Sequence, residues 1–152
     1  MKSIFIFFTL VFYSCNNQIL VPDYEKLVYG DNELAYRILY PEKFDKSKKY
    51  PIKLFLHGIG ERGNNNESQL NYVDKVFLNK KNHKNYPSII VFPQAPLSDN
   101  WSSVNWDGNK LSFPEDDPPT NSLKLVIKLM DSLTNENYAD KNRIYLSGLS
   151  NG

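Results

Sequence analysis

Asn142-Arg143-Ile144-Tyr145-Leu146-Ser147-Gly148-Leu149-Ser150-Asn151-Gly152 closes the sequence, and its reading decides the fold. Arg143 to Ser147 reads as a short buried strand, and Gly148 to Gly152 spells G-x-S-x-G. A strand running into that pattern predicts a sharp turn toward a helix, with Ser150 at its apex and its hydroxyl lifted clear of the backbone. Side chains at the two flanking glycines would collide in such a turn. A serine hydroxyl is a poor nucleophile until a base takes its proton, so Ser150 is the candidate nucleophile and needs a partner.

Upstream, the sequence supplies what a parallel sheet requires. Ile52 to Leu56 is an apolar strand cut off by His57-Gly58-Ile59-Gly60. Ser88 to Phe92 is wholly apolar and closed by Pro93, the signature of a strand covered on both faces. Leu34 to Tyr40 alternates with a period of two, and Tyr24 to Tyr29 pairs with it across Gly30-Asp31-Asn32. Between the strands, Asn64 to Asn66 caps a predicted helix over residues 67–79, on which Leu70, Val73 and Phe77 fall at helical spacing. A clearer amphipathic helix starts at Thr120, with Leu123, Val126, Ile127, Met130 and Leu133 on one face. Residues 99–119 read as an irregular loop over the sheet's edge. Strands alternating with helices predict an α/β fold with mostly parallel strands flanked by helices.

The N-terminus stands apart. Met1-Lys2 carries positive charge, Ile4 to Phe12 is almost wholly apolar, and Tyr13-Ser14-Cys15 ends the run. That stretch is too short to span a bilayer and fits a signal peptide over residues 1–14. Cys15 is the sole cysteine, so no intramolecular disulfide forms. Its placement after small Ser14 resembles a bacterial lipobox, which implies lipidation at Cys15, export to the cell envelope and contact with the membrane through that anchor. An ordinary secretory signal with an incidental cysteine, giving a secreted protein, and a buried N-terminal strand are the other readings. Residues 15–23 form a polar tether, and residues 24–152 the folded part.

The 152 residues carry a formal net charge of +1, which gives no electrostatic case for nucleic acid. Hydrophobic residues make up 41% and aromatic residues 14%, which suits a globular domain rather than a disordered chain. No Cys/His cluster holds zinc. Asp99, Asp107, Glu115, Asp116 and Asp117 follow no calcium-loop spacing and read as a solvated acidic loop. Neither a metal nor a cofactor is implied. His83 lies among polar residues and reads as solvated.

Lys53 to Leu70, "KLFLHGIGERGNNNESQL", Ile89 to Pro96, "IIVFPQAP", with Trp101 shortly after, and Asn142 to Gly152 together resemble successive landmarks of the α/β-hydrolase family. The branch is that of secreted bacterial carboxylesterases similar to polyhydroxybutyrate depolymerases, feruloyl esterases and dienelactone hydrolases. The resemblance runs from about Leu34 to Gly152. It implies that Ser150 is the nucleophile and that the backbone N–H groups of Ile59 and Asn151 form the oxyanion hole. It implies a structured loop braced by His57, Glu61 and Arg62, the last two as an ion pair, with contact to substrate as the alternative for that pair. Trp101 and Trp106 either line the substrate pocket or cap the sheet. Asn151 replaces the methionine common in this family, a change that leaves the backbone N–H in place.

In this family the triad runs serine, acid, histidine in chain order, which puts both partners of Ser150 beyond Gly152. The sequence therefore reads as the N-terminal part of the domain, with the acid and the histidine outside it and turnover by these residues alone not expected. The expected substrate is a small-molecule or polysaccharide-linked ester. A prolyl-oligopeptidase-like peptidase, a non-catalytic glycan-binding lipoprotein and an inactive fragment are the alternatives.

Overall fold

The computed structural model describes residues 25–31, 34–73, 77, 79–114 and 116–152. The signal peptide, Cys15 and the tether lie outside the described residues, as do Glu115 and parts of the helix expected over residues 67–79. The side chain of Trp106 lies outside them too.

Five strands form one twisted sheet in the order β1-β2-β4-β3-β7. β1 (Glu25–Tyr29) and β2 (Leu34–Leu39) pair antiparallel, with Tyr29 opposite Leu34 across the turn at Gly30. β2 also runs antiparallel to β4 (Ile89–Gln94). β4, β3 (Tyr50–Leu56) and β7 (Ala139–Gly148) are mutually parallel neighbours. The sheet is thus mixed: the parallel strands are the three apolar runs, and the N-terminal hairpin adds the antiparallel edge.

The alternation along each strand places the core on two faces. Ile52, Leu54 and Leu56 of β3 join Leu34, Ile38, Ile89 and Val91 in one cluster, sealed by Val126, Leu129 and Leu133 of the long helix α2 (Asn121–Thr134). On the opposite face, Ile90 and Phe92 of β4 pack with Leu39 and Val73, flanked by Phe55, Leu70 and Phe77. β4 is apolar throughout because it is covered on both sides. The strand runs past Pro93 to Gln94, further than expected. Its parallel ladder with β3 ends at Leu54–Val91, so Pro93 is opposed only by Tyr36 of β2.

α2 begins where expected, with the Thr120 hydroxyl accepting the Leu123 N–H at 3.2 Å as an N-cap. Its buried stripe is Ser122, Val126, Leu129 and Leu133, spaced four, three and four apart; Ile127 remains 47% exposed. The stripe is turned by about one position from the expected face. The segment after Asn66 starts as a single 3₁₀ turn, Ser68–Leu70, entered through a turn in which Asn65 Oδ1 accepts the N–H groups of Glu67 and Ser68. A short helix α1 (Lys80–Asn85) follows, which the sequence pattern did not predict because it has no apolar stripe.

β7 lies at the edge of the described sheet. It pairs only with β3 among the described residues, and Ile144, Tyr145 and Leu146 are 45%, 52% and 70% exposed. Within residues 99–119, β5 (Asn105–Trp106) and β6 (Leu111–Ser112) form a small antiparallel arm where only irregular loop was expected. None of the described helices is long and apolar enough to cross a membrane.

Candidate active site at the end of the parallel strands

Ser150 stands at the tip of β7 with φ +56°, in the left-handed region that non-glycine residues avoid. Two backbone bonds make the turn: Leu149 N–H to the Leu56 carbonyl at 3.0 Å, and Gly152 N–H to the Leu149 carbonyl at 2.9 Å. The first ties the turn to the end of β3. Both glycines of the motif are sterically obligatory. A Cβ on Gly148 would lie 2.6 Å from the Gly152 carbonyl oxygen, and one on Gly152 would lie 2.6 Å from the Leu56 carbonyl carbon. The strained serine is therefore held by close backbone crossing, a conformation costing on the order of 1–3 kcal/mol.

The loop after β3 lies against this turn. A Cβ on Gly58 would come 3.5 Å from the Ser150 Cβ. Among the described residues, no hydrogen bond takes the backbone N–H of Ile59 or of Asn151. Both residues line one cleft with Ser150, of about 670 Å³. Leu56, Trp101, Val104, Leu111, Phe113, Leu123 and Leu146 supply its apolar walls, and Asn100 and Ser102 its polar ones. No charged side chain lines it among the described residues.

The loop is braced from beneath. His57 is 1% exposed, and its Nε2 accepts the Ala95 N–H at 3.0 Å. The ring proton therefore sits on Nδ1, which donates to the Gly58 carbonyl at 2.6 Å. Burial pushes the imidazole below its usual pKa and Arg62 adds to this, against the Gly58 bond and the Glu61 carboxylate, so the ring is neutral near pH 7. With both nitrogens engaged, His57 has none free to serve Ser150.

Arg62 does not pair with Glu61; among the described residues no ion pair joins them. Its guanidinium instead donates to the carbonyls of Ile59, Leu97 and Asp99 at 3.1 to 3.3 Å and to Asn100 Oδ1 at 2.9 Å. A planar fork satisfies several carbonyls at once, which a neighbouring carboxylate on the same loop does not compete with geometrically. Glu61 is itself nearly buried, and its carbonyl accepts from Gln94 Nε2 at 3.0 Å.

Gln94 went unnoticed in the sequence, although a glutamine ending an apolar strand is a signal. It is 2% exposed and also donates to Asn65 Oδ1 at 2.9 Å and accepts from the Asn66 N–H at 2.6 Å. Asn66, held at φ +53°, reaches the carbonyls of Leu27 and Tyr36 at 3.1 Å. This buried network fastens the loop after β3 to β4 and to the N-terminal hairpin.

Trp101 lines the cleft but is only 3% exposed. The backbone of Trp106 pairs with Leu111 in the arm. Asp99 is not a solvated acid: its Oδ2 accepts the Ser122 N–H and hydroxyl at 2.8 and 2.9 Å, fixing the start of α2. Burial raises the Asp99 pKa, but the bonds from Ser122 and Asn100 outweigh it and leave the carboxyl below its ordinary range. Asp107 shapes the turn of the arm. His83 sits on α1 with Nε2 3.1 Å from the Tyr40 carbonyl, so it is not simply solvated. No group of three or more His, Cys, Asp or Glu side chains suited to a metal occurs among the described residues.

No protein-family model matches the chain, and no curated protein does. Among solved structures, a thermostable esterase is 31% identical with a TM-score of 0.72, over 88% of this chain and 36% of its own. The chain has the α/β-hydrolase fold. A CE1 ferulic acid esterase from Anaeromyces mucronatus, solved with ferulic acid, shares that fold at 18% identity and a TM-score of 0.53, over 84% of this chain and 48% of its own. The chain therefore spans about a third of the length of the first of these esterases and about half of the second.

Proposed function

We propose that the protein is a serine hydrolase of carboxylic esters, and that these residues supply its nucleophile and its oxyanion site. The observation that carries this reading is Ser150 at φ +56° on the end of a parallel strand, facing a cleft shared with Ile59 and Asn151. The likeness to a thermostable esterase at 31% identity supports it.

In this mechanism Ser150 Oγ attacks the ester carbonyl carbon as a base takes its proton. The carbonyl oxygen becomes an oxyanion, and the N–H groups of Ile59 and Asn151 donate to it as charge develops. Collapse expels the alcohol, which takes the proton back from the base, and leaves Ser150 acylated. Water, activated by the same base, then releases the acid. Neither His57, with both nitrogens engaged, nor His83, bonded at Tyr40, is that base. A histidine outside these 152 residues, oriented by an acid, fills the role.

We place the protein outside the cytoplasm, held to the membrane by a lipid on Cys15. Fatty-acid labelling of the cells that is lost in Cys15→Ala tests this.

The deciding experiment for the activity is fluorophosphonate labelling of the native-length protein. Labelling at Ser150, abolished together with ester hydrolysis in Ser150→Ala, supports the reading. Labelling or hydrolysis that survives the substitution overturns it.

A further inference from the structure

Leu111 and Phe113 are out of place by ordinary surface chemistry. They are 53% and 63% exposed, on an arm whose neighbouring residues are polar: Asp107, Asn109, Lys110 and Ser112. The arm is not a slack loop. β5 and β6 pair through Asn105–Ser112 and Trp106–Leu111, and the turn between them is fixed by Asp107, whose Oδ1 accepts the N–H groups of Asn109 and Lys110 at 2.9 and 2.7 Å. Leu111 lies on β6 and Phe113 just past its end. Both line the cleft that holds Ser150, across from Leu146 of β7.

Resting on the esterase reading, we propose that Leu111 and Phe113 are the specificity-determining wall of the site, selecting esters whose larger substituent is apolar and uncharged. Three observations combine here. The two side chains sit on and just beyond a paired arm and are only part-covered, so an apolar group entering the cleft removes their remaining surface from water. Neither side chain carries a charge or a hydrogen-bonding group, so a carboxylate or ammonium placed against them would lose its hydration without finding a partner there. Val104, Leu123 and Leu146, which line the same cleft, are apolar as well.

The test uses the native-length protein and two ester series: methyl esters with acyl groups from acetyl to octanoyl, and acetates of alcohols from methyl to octyl. In the wild type kcat/KM rises along at least one series. In Leu111→Ser/Phe113→Ser, the longest member of that series loses about tenfold or more while the shortest stays within about twofold. The monomethyl ester of glutaric acid, which carries a carboxylate at the far end, is hydrolysed at least about tenfold more slowly than the neutral ester of equal length. Both residues are exposed, so the double variant keeps the fold. A wild-type rise that the double variant leaves intact overturns the specificity wall while the esterase reading stands. No hydrolysis of any ester and no fluorophosphonate at Ser150 overturn both.

Discussion

Trp101 donates its indole N–H to the carbonyl of His57 at 2.9 Å, and its ring stands edge-on to the imidazole with centroids 4.9 Å apart. The tryptophan from the loop after β4 and the histidine from the loop after β3 thus hold each other. This pair sits beneath the cleft, and it explains why Trp101 is almost wholly buried while still forming part of the wall. Trp101→Phe keeps the aromatic contact and leaves the buried His57 carbonyl unpaired. The variant is expected to lose about 1–3 kcal/mol of stability, read as a lowered urea midpoint at unchanged slope.

The strain at Ser150 gives a second expectation. Alanine and glycine at this position both remove the hydroxyl, but only glycine adopts φ +56° without a steric cost. Ser150→Gly should be more stable than Ser150→Ala by about 1 kcal/mol, measured by equilibrium unfolding of the two proteins side by side. Equal stabilities would mean that the turn relaxes when the hydroxyl is removed.

Buried His57 makes stability depend on pH. Its folded pKa lies below the ordinary value of 6.5, so as pH falls through about 6.5 the unfolded chain takes up a proton that the folded protein refuses. Stability should therefore be level above that pH, fall as pH drops from it, and level off once pH passes below the folded pKa. Glu61 and Arg62 are the charged groups that act on the ring. Unfolding free energies between pH 5 and pH 8 should show this slope, and His57→Asn should flatten it. At lower pH a further loss should come from Asp99, whose carboxylate gives up its bonds to Ser122 when it is protonated through its lowered folded pKa.

Arg62 makes its contacts with backbone oxygens on two segments, Ile59 on one and Leu97 and Asp99 on the other. Arg62→Ala should slow fluorophosphonate labelling of Ser150 about tenfold by loosening the loop that carries the Ile59 N–H. Lysine presents a single point charge in place of a fork and should recover only part of that rate. A labelling rate unchanged in the alanine variant would remove Arg62 from the positioning of the site.

The strands were legible because burial writes itself into period and composition. Ile89 to Phe92 is apolar on both faces, and the structure covers both faces. The elbow was legible because close backbone crossing admits only glycine, and that restriction appears in the sequence as a pattern. Arg62 was misread. Adjacent residues of opposite charge invite an ion pair on paper, but three carbonyls and the side-chain oxygen of Asn100 offer the guanidinium a better match in geometry. Gln94 and Asn66 carry the loop through hydrogen bonds to backbone groups from distant segments, and no local spacing encodes such partners. α1 has no apolar stripe, so periodicity is silent on it. Its start is fixed by Asn79, whose side chain accepts the N–H groups of Lys81 and Asn82.

The hydroxyl of Ser147 donates to the Leu54 carbonyl across 93 positions of sequence, and the turn at Ser150 hangs on the Leu56 carbonyl from the same distant strand. The backbone conformation of Ser150 is thus a property of two segments that meet late. Closing a loop of that length delays the contact relative to the local turns and the β1–β2 hairpin. On the proposed esterase reading, a growing or partly folded chain therefore presents an ordinary, unreactive serine, and the reactive geometry arises only when β7 docks on β3. Acquisition of fluorophosphonate reactivity during refolding should then lag behind the first gain of secondary structure, which makes the serine a clock for the last step of sheet assembly.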